Sequence, residues 1–153
     1  MKMTVIFSKK CELGLQAVLY LSTLSPGKMA SAIDISKEIN VPKEFVAKVL
    51  QSLTNSGIVE SKKGKSGGFY LAKPPAEIRL IDIVKSIDGL GVFESCVLGF
   101  PGCGHGKPCP VHSKWGKIRD EAFTMLSNET LEELSNATME KIKSLSNTTK
   151  ELL

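Results

Sequence analysis

Apolar positions recur at helical spacing through the first 55 residues. Leu13, Ala17, Val18, Leu21 and Leu24 predict a helix capped by Ser8 and ended by Ser25-Pro26-Gly27. Ile35 and Ile39 share one face of a second helix, from about Ser31 to Asn40. Val41-Pro42 predicts a tight turn, with Pro42 at the first position of a third helix. That helix carries Phe45, Val49, Leu50 and Leu53 on its inner face and runs to about Ser56. Gly57, tolerant of the left-handed conformation, stops it.

The period then changes. Ile58 to Ser61 and Gly68 to Ala72 read as two short strands around the glycine-rich basic loop 62–67, a hairpin with a cationic tip. A fourth helix follows at about Ile81 to Ile87, with Gly89 and Gly91 at its exit. Residues 94–111 are rich in Gly, Pro and Cys and have no apolar period, so this loop needs something other than its own core to order it. A long helix begins near His112–Trp115, and Thr130 with Glu133 forms a capping box for another. Ile142, Leu145, Thr149 and Leu152 extend the pattern, although the Ser/Asn/Thr content favours fraying of this tail. The predicted fold is mostly α with a small β-hairpin wing, a winged helix-turn-helix plus a long dimerisation helix. It divides into a DNA-binding part (1–88), a cysteine loop (89–111), and a dimerisation helix with a helical tail (112–153).

Three helices and a hairpin in this order present the start of the third helix to the major groove and the wing to phosphates or the minor groove. The polar side of that helix offers Lys43, Glu44, Ala47, Lys48 and Gln51 as candidates for base and phosphate contact. Wing residues Lys62, Lys63 and Lys65 can neutralise phosphates without reading sequence, while Ser66, Gly67 and Gly68 permit close backbone approach. Charge supports a double-stranded DNA operator as partner. Residues 1–80 carry a net +6 and residues 81–153 a net −2.

Apolar runs fall far short of the ~20 residues that span a bilayer, and Met1 to Lys10 has no secretory pattern, so a cytoplasmic protein without membrane contact is expected. In that compartment stable disulfides are rare. Cys96, Cys103 and Cys109 nonetheless cluster within fourteen residues, with His112 just after them. Thiolates are soft donors for iron–sulfur clusters, zinc or copper(I). No paired C-x2-4-C knuckle is present, yet three Cys and one His can still hold zinc tetrahedrally. Spacing alone leaves a cluster, zinc and redox-active thiols open. Cys11, inside the first helix, reads as a small buried residue. His105, flanked by glycines, reads as solvated. No nucleophile–base constellation or phosphate loop is present, and no fourth cysteine completes a ferredoxin-type set. An enzyme is therefore not expected, and an electron carrier is the weaker alternative.

Several features together resemble the family of winged-helix transcription regulators that includes the iron–sulfur regulator IscR and the nitric-oxide regulator NsrR. They are Glu12-Leu13-Gly14-Leu15, the segment from Ser31 to Gly57, the wing Gly64-Lys-Ser-Gly-Gly-Phe-Tyr-Leu, and Cys96…Cys103…Cys109-Pro-Val-His-x-x-Trp115. The similarity covers about residues 1–135. It implies a homodimer joined through the long helix, and a 2Fe–2S or 4Fe–4S cluster on the three cysteines. In such a regulator, redox state, nitric oxide or iron and cluster supply controls DNA binding, and repression is the expected mode. The fourth ligand falls on His112 in one type of member and on Glu12, from the partner subunit, in another. Gln16 stands where members using the glutamate have a histidine, and Ala47 where the cluster-biogenesis regulator has a glutamate that tunes operator choice. For dimerisation, Trp115, Ile118, Phe123 and Leu126 give the long helix an apolar face that one small domain need not bury.

Overall fold

The computed structural model describes residues 6–102 and 106–151. Helix α1 (Lys9–Ser22) starts at Ser8, whose hydroxyl accepts from the Cys11 amide at 3.0 Å. Ser8 is itself held by Asp88, to which its amide donates at 2.8 Å and its hydroxyl donates as well. Asp88 is the last-turn cap of α4 (Leu80–Ile87), so one carboxylate joins the beginning of α1 to the end of α4. Ser8→Ala removes both the cap and the clamp. Stability should fall by about 1–2 kcal/mol, read as a lower denaturant midpoint at unchanged m-value.

α2 (Ala32–Glu38) opens on a capping box in which Ser31 and Asp34 satisfy each other's amides. It ends early, and Asn40 turns the chain at φ 56°. Pro42 is extended and caps α3 (Lys43–Asn55) from outside, rather than occupying its first turn. The inner face of α3 is Val46, Val49, Leu50 and Leu53, all buried. Phe45, expected inside, is 54% exposed. Val46 takes its place because the i, i+3, i+4, i+7 stripe that begins at Val46 is already complete.

The hairpin pairs β1 (Val59–Lys62) with β2 (Gly68–Leu71) antiparallel, Val59 opposite Leu71 and Lys62 opposite Gly68. It is fixed to the helical core by a bridge in which Ala30 and Phe69 exchange both backbone hydrogen bonds, at 3.1 and 2.8 Å. A short 3-10 turn (Pro75–Glu77) leads into α4.

The C-terminal pair is α5 (His112–Asn128) and α6 (Leu131–Glu151). The expected Thr130/Glu133 capping box is present, and its hydrogen bonds hold the Glu133 carboxyl below the usual carboxylate range. Their junction is bonded to the segment before α4. Leu80 donates to the Glu129 carbonyl, Leu131 to that of Ile78, and the Arg79 guanidinium to the Ser127 and Asn128 carbonyls at 3.0 Å each. These last two are otherwise orphaned carbonyls at a helix C-terminus, where a cation is favoured.

The main core joins α1, α2, α3, α4 and the wing around Ile35, Leu50, Leu53, Val59 and Ile83, and α6 contributes Leu131. Gly14 allows α1 and α4 to approach closely, since a Cβ there would lie 2.4 Å from Ile87 Cδ1. A smaller cluster contains Cys11, Val84 and Leu126. Leu126, expected on the dimer face, is therefore packed inside its own chain, because α5 lies against α4. No helix among the described residues is long and apolar enough to cross a membrane.

Candidate functional site

Lys43, Glu44, Ala47, Lys48 and Gln51 all lie exposed on α3, opposite its buried stripe. Lys9 and Lys10 of α1 line a hollow on the same surface together with Phe45, Lys48 and Gln51. On the wing, Lys62, Lys63, Lys65 and Ser66 are exposed. Gly67 is required by the hairpin itself. A Cβ there would sit 1.9 Å from the Lys62 carbonyl oxygen, which is backbone and cannot give way. Gly68 likewise lies against Ala30, where an added Cβ would meet the carbonyl oxygen at 2.9 Å. The two glycines thus close the wing and seat it on the core.

The second candidate region joins the cysteine loop to α5. Cys96 and Cys109 place their sulfurs 3.4 Å apart, well beyond the ~2 Å of a disulfide bond. Two thiolates on one tetrahedral metal atom, at metal–sulfur bonds of ~2.3 Å, stand about 3.8 Å apart, close to the spacing seen. His112 lines the same pocket, along with Glu94, Trp115 and Arg119. His112, Trp115 and Arg119 fall at i, i+3 and i+7 on α5 and so face one way. Trp115 Nε1 and Arg119 Nη1 both donate to the Ser95 carbonyl, at 2.9 and 3.1 Å. The carbonyl just before Cys96 is thereby tied to α5 by two side chains. Arg119 Nε is buried with no acceptor among the described residues. Soft donors held together, beside a cation with an unsatisfied donor, fit an anionic thiolate-ligated cluster.

Cys103 and His105 lie outside the described residues. Glu12 does not line this pocket. It is half-buried in the first turn of α1, 3.4 Å from Lys9 Nζ. Cys11 is fully buried, and burial, reinforced by Asp88, pushes its thiol up to about 12. A thiol so placed stays protonated and unreactive. Glu94 and Arg119 were not singled out from the sequence. Glu94 joins the pocket only where the loop folds back, and the Ser95–Arg119 contact spans 24 positions.

A family model described as an iron-dependent transcriptional regulator, Rrf2, matches residues 7–137. The chain belongs to the Rrf2 family. An HTH-type transcriptional regulator of Aquifex aeolicus is 33% identical over 134 residues, 86% of this chain and 92% of that protein. CymR, the global cysteine regulator of B. subtilis, superposes with a TM-score of 0.72 at 24% identity, covering 88% of this chain and 98% of its own. IscR of T. potens superposes at 0.69 and 22% identity, covering 92% and 90%. This Rrf2 protein is a DNA-binding transcription regulator with the winged helix-turn-helix fold; the sequence resemblance implied the relation to IscR, and the structural comparison adds CymR.

Proposed function

We propose that this Rrf2 regulator binds operator DNA as a homodimer, and that an iron–sulfur cluster on Cys96, Cys103, Cys109 and His112 sets its affinity. The observation carrying the proposal is the meeting of Cys96 and Cys109 at 3.4 Å in a pocket that His112 also lines. His112 is proposed as fourth ligand because it shares that pocket, and Glu12 supplied by the partner subunit is the alternative. Bound there, the cluster would supply a redox- and nitric-oxide-sensitive charge centre. The chain's own residues convert its state into a change at DNA. His112 begins α5, and Trp115 and Arg119 hold Ser95, so a shift of the loop moves α5. In a dimer built on α5 that movement changes the separation of two recognition helices. Half-sites near one helical turn apart are sensitive to such a change. Repression is the proposed output, with residues 1–88 binding DNA, 89–111 sensing and 112–153 joining subunits.

Anaerobic purification tests this directly. A visible chromophore with stoichiometric iron and sulfide is expected, and operator affinity should differ between cluster-loaded and cluster-free protein. Colourless protein that binds the operator normally and contains no iron would refute it.

One observation favours a second reading, a thiol-redox switch without a cluster. Two sulfurs at 3.4 Å need only a small movement to bond, and one related structure is an oxidised form of S. aureus CymR at 25% identity. Metal-free protein that gains a Cys96–Cys109 disulfide on mild oxidation, with altered DNA affinity, would favour it.

For DNA contact, α3 and the wing are proposed to meet the major groove and flanking phosphates. Lys62→Ala with Lys65→Ala should weaken operator and nonspecific duplex alike and flatten the log–log salt slope by up to about two. An unchanged slope would remove the wing from the interface.

A further inference from the structure

Phe45 is the third residue of α3 and is 54% exposed, although the core stripe of that helix is filled without it. A single exposed apolar residue is ordinary, so its surroundings decide. It lies on the same outward side as Lys48 and Gln51, in a hollow bordered by Lys10 of α1. An exposed aromatic ring that shares a hollow with lysines, in the first turn of a helix that enters the major groove, would face the part of the groove where base edges are read. The apolar feature that a major-groove base edge offers is the C5-methyl of thymine, and phenylalanine is among the side chains that contact it.

We propose that Phe45 packs against a thymine C5-methyl and makes the operator select thymine at one position in each half-site. This rests on α3 entering the major groove. Lys10 and Lys48, which line the same hollow, would hold the neighbouring phosphates and fix the ring over that base. The selectivity comes from one buried methyl rather than a hydrogen bond, so it discriminates thymine from uracil.

The test starts from an operator selected by the wild-type protein from random duplexes. Each thymine is replaced in turn by deoxyuridine, which removes only the methyl. Wild-type affinity should fall about fourfold at one symmetry-related pair of positions, the value expected for one buried methyl per site. Phe45→Ala, whose folding is checked by circular dichroism, should bind more weakly and lose the sensitivity at that pair. Repeating the selection with Phe45→Ala should erase the thymine preference there. The inference is wrong if the wild type tolerates every deoxyuridine, if selection yields no thymine preference, or if Phe45→Ala keeps the same sensitivity. Lys48→Ala separates this from the underlying assignment. If Lys48→Ala also binds like the wild type, α3 is not the recognition helix. If Lys48→Ala binds poorly while Phe45→Ala is indistinguishable from the wild type, only the role of Phe45 is lost.

Discussion

Replacing Cys96, Cys103 or Cys109 one at a time by alanine is expected to empty the protein of iron and abolish its visible chromophore, whereas Cys11→Ala leaves both intact. The contrast follows from the two environments. Cys96 and Cys109 meet at 3.4 Å in a pocket that also holds His112 and Arg119, where a thiolate has a second soft donor, an imidazole and a guanidinium beside it. Cys11 is sealed between α1 and α4, and its thiol is pushed up to about 12. Protonated Cys11 also carries a pH signature. The folded state holds the proton more tightly than the unfolded chain, for which the ordinary value is 9.0. Its stabilising contribution is therefore complete below pH 9 and is lost as the pH climbs from there towards 12. Cys11→Ser or Cys11→Ala should flatten the alkaline limb of stability against pH without touching the iron content. Full iron and sulfide in all three loop variants would show that the cluster assignment is mistaken. Among the other candidates, His112→Ala should make the cluster labile and Glu12→Ala should not.

Converting Ile118 and Met125 together to glutamate is expected to yield monomers and to weaken operator binding by two orders of magnitude or more. These residues are 52% and 54% exposed, one heptad apart on α5. Every contact on the shared face of a twofold dimer occurs twice, so two charges per subunit would put four into the interface. Linking two DNA-binding units typically raises apparent affinity by about 10²–10⁴, and this is what the monomer forfeits. Sedimentation at micromolar concentration reads the assembly, and salt-matched binding to full and half operators reads the consequence. A double variant that stays dimeric would move the interface elsewhere, with the exposed loop residues Val97, Leu98 and Phe100 the next to change.

Features set by neighbours in sequence were legible before the structure. Ser8 and the Thr130/Glu133 box act over three residues, and the wing is an alternating pair closed by glycines. Helix order and the exposure of the lysines on α3 and the wing followed from the same local patterns. Periodicity was less decisive where two apolar residues are adjacent. Phe45 stands four before Val49, and Val46 four before Leu50, so the pattern fits either stripe until packing chooses Val46. Leu126 shows the other limit. Its apolar neighbours on α5 resemble an interface, and only the contact of α5 with α4 places it beside Val84. Glu94 and Arg119 were invisible for a similar reason, as their role depends on a loop folding back onto a helix.

The clamp between Ser8 and Asp88 also bears on how such a protein can change its stimulus. Asp88 anchors the chain just before the cysteine loop, and His112 anchors it again at the start of α5, so both ends of the loop are tethered to regular structure. Whatever is built between those two points pulls on the same pair of attachments. If the loop senses as proposed, it could be exchanged for one with different donors while these two attachments stay unaltered. The fold would then work as a chassis with an interchangeable sensor cartridge.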